Sequence, residues 1–272
     1  MDFSRYDSGH RICVTPSVRR TASGVLFAVA CIGLSAPVRA DNPGYNRPGL
    51  SFSPSVLDLG AITFEQGLPD WTRGRDEGTT SSLYTADSSL RIGLGHQLEL
   101  ELGDSFYNHL HTSGADGSDS STGRGDSSLA LKYALPSSIK QLTWGLLGSV
   151  EFTDGQRAFR NDSNQYQLGM AINWQFDDKN TLGGYINDAR LGGRDSETFA
   201  LSETRALTSQ LSVYVEAAVE HDPDNGNGTL AGGGVAWQIT KNMQLDASFR
   251  HRLSGYANDW EAGLGASVYF GH

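Results

Sequence analysis

Charged side chains recur at alternate positions in stretches that are otherwise apolar. Glu99 and Glu101 stand among Leu98, Leu100 and Leu102, and Lys132 stands between Leu131 and Tyr133. Asp246, Arg250 and Arg252 alternate with Leu245, Phe249 and Leu253, and Glu261 opens a further run. Glu65, Arg91, Glu151 and Glu216 hold equivalent places. A spacing of two puts each set on one face of a strand. Charges of both signs on one face allow two readings. They form a polar pathway, with Arg91, Arg250 and Arg252 attracting anionic or carbonyl-bearing solutes, or they pair with each other and fill the space. Neither reading needs a catalytic residue.

Other chemistries find less support. In His111-Thr112-Ser113, a His two residues before a Ser resembles the arrangement of outer-membrane phospholipases, in which the His takes the Ser proton. The pair is expected in a loop, without an Asn or Asp to orient the ring. Asp116-Gly117-Ser118-Asp119 and Asp222-Pro223-Asp224-Asn225-Gly226-Asn227 bring oxygen ligands together, but the bidentate Glu of a full calcium loop is missing. No metal or cofactor is therefore expected. Arg124-Gly125-Asp126 reads as the approach to a strand. Without a nucleotide-binding loop, any transport would be passive.

The elements that position these residues are strands. Trp260–Phe270, Met243–Leu253, Leu211–Val219 and Tyr166–Phe176 keep a strict period of two, with one apolar and one mixed face. Twelve strands are expected, near 59–68, 79–93, 97–109, 125–135, 142–152, 164–176, 180–191, 198–206, 210–221, 228–239, 243–253 and 259–270. Connections after odd-numbered strands read as the longer ones, and most of those after even-numbered strands as short. An even count of antiparallel strands with loops sorted by parity is the pattern of an outer-membrane barrel. Trp144, Phe152, Tyr166, Trp174, Phe176, Trp237, Trp260 and Phe270 fall at strand ends, where aromatic girdles meet the lipid headgroups. The predicted fold is an all-β, closed antiparallel transmembrane barrel spanning 56–272. A soluble sandwich would keep more of its aromatics mid-strand.

Composition agrees. Of 272 residues, 33 are Gly, about 12% against a usual ~7%. Gly232-Gly233-Gly234, Gly183-Gly184 and Gly263/Gly265 would let a barrel curve sharply and leave room for a chain in the lumen. Residues 1–40 read as a secretory signal, with Arg11, Arg19 and Arg20 ahead of an apolar run from Gly24 to Leu34 and a small-residue site at Val38-Arg39-Ala40. Cleavage near Ala40 would remove both cysteines, Cys13 and Cys31. It would lower Lys plus Arg from 21 to 16 and Asp plus Glu from 31 to 29, giving a net charge of −13. Such a chain carries no disulfide or zinc–thiolate site, and nucleic acid is an unsuitable partner. Residues 41–55, with three prolines, read as an extended arm.

Several short motifs, in order, resemble an outer-membrane transporter family named for the MetA pathway of phenol degradation. Ile62-Thr63-Phe64-Glu65-Gln66-Gly67 resembles its opening strand. Leu90-Arg91-Ile92-Gly93-Leu94 followed by Leu98-Glu99-Leu100 resembles its first hairpin. Gly123-Arg124-Gly125-Asp126 followed by Leu129-Ala130-Leu131-Lys132-Tyr133 resembles a later strand start. The last strand ends on Phe270, though Gly271 and His272 follow. The resemblance implies a channel in a Gram-negative-type outer membrane for small, often aromatic or hydrophobic, solutes. It implies lipid, a small-molecule solute and the barrel-assembly machinery as partners, and it brings no catalytic residues. Two alternatives are a lipid-modifying hydrolase and a structural or adhesive barrel with an occluded lumen.

Overall fold

The computed structural model describes residues 44–271 apart from 77 and 116, and every regular element among them is a β-strand. The expected signal segment 1–40, Asp116 and His272 lie outside the described residues. The strands are β1 (Ile62–Asp76), β2 (Thr79–Gly95), β3 (Leu98–Gly114), β4 (Gly117–Gly123), β5 (Ser127–Leu135), β6 (Leu142–Glu151), β7 (Gln165–Gln175), β8 (Asn180–Leu191), β9 (Arg194–Ala206), β10 (Leu211–Asp222), β11 (Gly226–Thr240), β12 (Met243–Gly255) and β13 (Trp260–Phe270). Each pairs antiparallel with its neighbour in sequence, and β1 pairs with β13 from Ile62↔Phe270 to Arg73↔Trp260, which closes the ring. The outer edge of β3 is shared: its first half pairs with β5 and its second half with β4. Those two strands fill one place in the wall, so the barrel has twelve strand positions.

The faces are reversed relative to a water-soluble protein. Lys132 is fully buried while Leu131 beside it is 49% exposed, and Glu216 is buried while Val215 is 62% exposed. Charge lies inside and the aliphatic surface faces outward, as lipid requires. The ends also sort. Trp174, Phe176, Trp237 and Phe270 ring the end where β1 begins and β13 finishes, and Trp144 stands there too, its indole bonded to the Pro136 carbonyl. Phe152, Tyr166 and Trp260 mark the other end, with Trp260 stacked on His251 at 3.9 Å.

The loops correct the sequence reading. The spans 69–78, 110–124 and 192–197 were expected as long connections. Instead the strands run on, β1 to Asp76 with β2 from Thr79, β3 to Gly114 with β4 from Gly117, and β8 to Leu191 with β9 from Arg194. Only 152–164 is a long loop at that end. The extra lengths, such as Thr79-Thr80-Ser81-Ser82 and Ser118–Thr122, are polar on both faces. A ladder standing beyond the lipid is wet on both sides and gives no period-two signal. His111-Thr112-Ser113 accordingly lies on β3 and not in a loop.

The wall is irregular at one height. β1 bulges between Gly67 and Asp70, β2 and β3 slip between Ala86 and Asp87, and β4 breaks from β5 at 124–126. A bulge leaves carbonyls without ladder partners, which lipid does not forgive. Gln66 meets this need: its Nε2 donates to the carbonyls of Gly67 and Asp87, and Ser88 donates to its Oε1.

Candidate functional site

The lumen is occupied. Residues 44–61 enter it and circle its wall without regular structure of their own. An extended segment has unpaired backbone N–H and C=O groups, and burial obliges the wall to supply partners. Carboxylates take the N–H groups. Asn46 N donates to Glu65 at 2.9 Å, Arg47 N to Glu65 at 3.0 Å, Leu50 N to Glu216 at 2.9 Å and Leu57 N to Glu99 at 2.7 Å. Cationic and neutral donors serve the carbonyls. Arg91 donates to Gly44 O at 3.0 Å, Arg250 to Pro48 O at 3.1 Å and Tyr214 to Pro48 O at 3.2 Å.

Side chains of the arm complete the fit. Arg47 places Nη1 and Nη2 on the two oxygens of Asp70 at 2.7 and 2.8 Å and its Nε 3.3 Å from Asp246. It crosses β13 where Gly263 and Gly265 face inward; a Cβ on Gly265 would overlap the guanidinium. Leu50 and Phe52 pack against Ala171, Tyr185, Ala200, Ala218 and Leu230, with Phe52 edge-on to Tyr185 at 5.9 Å. Gly93 carries the exit of the arm: Gly60 N donates to its carbonyl, its N–H donates to Ala61 O, and a Cβ would strike the Asp58 carbonyl.

Behind the arm stands a network of buried charge. Arg91 binds Glu65 at 2.8 Å and Glu99 at 2.7 Å, with Glu101 at 3.8 Å. Lys132 lies 2.6 Å from Glu99 and 3.0 Å from Glu101. Across the lumen Arg250 binds Glu216 at 2.6 Å and Glu261 at 3.3 Å. Eight of the predicted lumen residues thus meet in two clusters, and a ninth, Asp246, pairs with Arg47 of the arm that runs between them. Two stand apart at the far end. Glu151 accepts from Asn161 of the long loop, and Arg252 pairs with Asp259.

Sequence reasoning missed Asn46, Arg47, Asp70, Asp87 and Tyr214. Asp70 fell in a span read as loop, and Tyr214 was seen only as strand pattern. Nothing in the spacing of 41–55 shows which carboxylates would receive it. The hydrolase motif resolves differently: His111 Nδ1 bonds Ser120 at 2.8 Å, and His109 bonds Thr122 at 2.9 Å. Both are cross-strand partners on the β3–β4 hairpin, so the His–Ser contact is a rung of a polar ladder and does not involve Ser113.

Above the arm lies a cavity of about 170 Å³. Arg47, Leu50 and Phe52 form its floor, and Asp87, Glu101, Tyr185, Arg250 and Glu261 stand among its walls.

At the rim, the long loop is fastened to the β4–β5 break. Asp154 accepts from Ser127 N and Oγ at 2.7 and 2.8 Å and from Arg124 at 3.1 Å. Asp126 accepts from Gly155 N and Asn161 N. Gly155 lies directly against the Gly125 backbone and has no room for a side chain, and a Cβ on Gly125 would press on Ser105 and Asn108. Burial opposes ionisation of Asp154, but the Ser127 and Arg124 bonds hold its carboxyl below the usual range. For Asp126 burial prevails over its two backbone bonds, and the carboxyl is pushed up.

Comparison with known proteins matches this arrangement to a family. The family model described as "Putative MetA-pathway of phenol degradation" aligns with residues 45–270, arm and barrel together. The chain belongs to that family. Among solved structures, this family member is similar to the COG4313 outer membrane channel from Pseudomonas putida F1, with 14% identity, a TM-score of 0.64, and 82% of this chain and 99% of that one covered. It is also similar to the transport unit of the autotransporter AIDA-I from Escherichia coli, at 11% identity and a TM-score of 0.52, covering 78% of this chain and 90% of that one. The beta domain of the Bordetella autotransporter Brka gives 12% identity and a TM-score of 0.51, covering 78% and 100%. These likenesses establish the fold as that of outer-membrane β-barrels. No curated protein matches the chain.

Proposed function

We propose that this protein is an outer-membrane channel for passive entry of small solutes, and that residues 44–61 set its bore. The observation that carries this reading is the seated arm with an open cavity above it. A cavity of about 170 Å³ is close to the ~150 Å³ that accommodates one benzene-sized molecule. Phe52, Leu147 and Tyr185 give it an apolar side, while Glu101, Asp87 and Arg250 give it a polar one. Small monocyclic and short polar solutes suit that space; folded proteins and oligosaccharides do not. By the rule for such barrels the tight turns after β2 and β11 face the periplasm and the long loop faces outward. The arm then narrows the periplasmic half, and export with signal cleavage near Ala40 would deliver the chain to the membrane.

The test is conductance of the purified chain in planar bilayers, beside a variant lacking residues 44–55. The full chain should pass small, steady currents, and the deletion should raise conductance severalfold. An adhesive barrel with a sealed lumen, which the tightness of the arm also favours, predicts no current from the full chain.

A further inference from the structure

One sector of the barrel is basic on its outward face, at the end that carries the long loop. Residues directly opposite one another on antiparallel strands share a face. Arg73 of β1 stands opposite Trp260 of β13 and Ser82 of β2, and Ser82 stands opposite His111 of β3. Thr72, one residue earlier, stands opposite Leu83, which is buried. Arg73, Trp260 and His111 therefore point away from the lumen. Arg75 is two residues further along β1 on the same face, and it is exposed. Below them Tyr84 is 40% exposed and stands opposite His109.

These two arginines are uncommitted. Among the described residues no ion pair joins Arg73 or Arg75 to a carboxylate, and the hydrogen bond that Arg75 makes goes to the Thr80 hydroxyl. Acids outnumber bases in this chain, 31 to 21, and Arg91, Arg250 and Arg252 are all held by carboxylates. Above Tyr84, the outward positions of β1 to β4 carry Arg, His, Ser and Thr, and no Asp or Glu. The opposite side of the barrel differs. At the same end of β8 and β9, Asp188 stands opposite Glu197, and both share the outward face of Leu168, which is 63% exposed. The basic face is thus a local patch and not a belt.

The aromatic residues fix what touches this patch. Rings such as Trp260 and Tyr84 sit at the level of the lipid headgroups, so Arg73 and Arg75 meet the headgroup layer. A guanidinium pairs with phosphate oxygens through two parallel N–H bonds, a match that neutral headgroup oxygens do not offer. His109 and His111 each spend Nδ1 on a wall hydroxyl, which leaves Nε2 for an outside partner. We propose that this sector binds a phosphorylated glycolipid of the outer leaflet. Its phosphates pair with Arg73 and Arg75, its sugar hydroxyls with the Ser, Thr and His side chains of β2 to β4, and its acyl chains run down the wall below Tyr84. The hydroxyl-rich surface beside the arginines favours a sugar over a plain phospholipid headgroup. The proposal rests on the outer-membrane barrel with its long loop outward, and it is independent of conduction.

The experiment is native mass spectrometry of the purified chain released from detergent micelles. The probes are diphosphorylated lipid A, the same lipid without its phosphates, and phosphatidylglycerol. Each basic residue near an anionic lipid contributes a factor of about five in affinity. Diphosphorylated lipid A should therefore be retained, and Arg73→Gln with Arg75→Gln should weaken its binding about 25-fold. Arg190→Gln, on the acidic side of the barrel, should leave it unchanged. Equal retention by the double variant overturns the proposal. So does equal binding of the dephosphorylated lipid by the unaltered chain, a result that does not depend on the variant folding. Phosphatidylglycerol bound as tightly as lipid A would show a general attraction for anionic lipid and overturn the glycolipid assignment.

Discussion

Arg91→Met is the sharpest probe of how the lumen is held. The guanidinium is fully buried and donates to Glu65, Glu99 and the Gly44 carbonyl. Methionine fills much of the volume but none of the charge. Breaking a buried pair by removing one partner costs about 3–5 kcal/mol, because the other charge stays buried. Here Lys132 still serves Glu99 at 2.6 Å, so the stranded group is chiefly Glu65, and the loss should fall near the low end, about 3 kcal/mol. The assay is urea unfolding in detergent micelles, read by the band that resists denaturing detergent until heated. Arg124→Met is the control. Its pairs with Asp154 and Asp104 are made by a guanidinium side chain 37% exposed at the rim and should contribute only ~0–1 kcal/mol each. Adding Glu65→Gln to Arg91→Met should recover part of the loss, since it removes the orphaned charge. The reasoning is refuted if Arg91→Met costs no more than Arg124→Met, or if Glu65→Gln makes the double variant worse.

Two further outcomes follow from the same structure. The detergent-refolded chain should migrate differently unboiled and boiled, because closure of β1 on β13 removes the edges from which unfolding would start; identical mobility would contradict a closed barrel. The long loop should stay fastened down to acid pH. The Asp154 carboxyl is held below its ordinary value, so its contribution is complete above the ordinary carboxylate pKa of about 4 and is lost as pH falls through the lowered value. A spin label at Arg157 should be immobile at about pH 5 and become mobile only well below about pH 4; mobility at pH 5 would show that Asp154 does not fasten the loop.

The barrel was legible because lipid imposes one rule on every strand. Leu129, Leu131 and Tyr133 must face out and Lys132 must face in, so a period of two survives wherever the wall crosses the membrane. It fails where that rule lapses. β4 and the far ends of β1 and β2 stand in water on both faces, and their Ser, Thr and Asp residues read as loop. The lumen charges were legible as a set but not as pairs. Arg91 meets Glu99 because they lie near one another on adjacent strands, whereas Arg250 meets Glu216 from β12 to β10, across the inward-facing Gly232 of β11. That second contact depends on curvature and stagger, which no single strand encodes. The path of the arm was hidden for the same reason. Three prolines mark 41–55 as an extended arm in the sequence, but the wall partners of its described residues run from Glu65, 18 positions beyond Arg47, to Leu264, 217 positions beyond it.

On the proposed channel reading, how firmly the arm sits decides how a solute can pass. Four backbone N–H groups of the arm, from Asn46, Arg47, Leu50 and Leu57, bond to buried carboxylates of the wall. A hydrogen bond to a charged group contributes roughly 1.5–3 kcal/mol. Water entering the lumen would recover part of that, yet withdrawing the arm would also uncover Leu50, Phe52 and Leu57 and leave Arg47 to part from Asp70. Together these make ejection a rare event at ambient temperature. Arm and wall are also mutually dependent: without the arm, Glu65, Glu99 and Glu216 lose donors in a closely packed space, and without the carboxylates the arm has nowhere to place its backbone. On the proposed channel reading, conduction runs past a seated arm and not through a cleared pore. The bore on that reading is set by the side chains of 46–52 and the residues facing them.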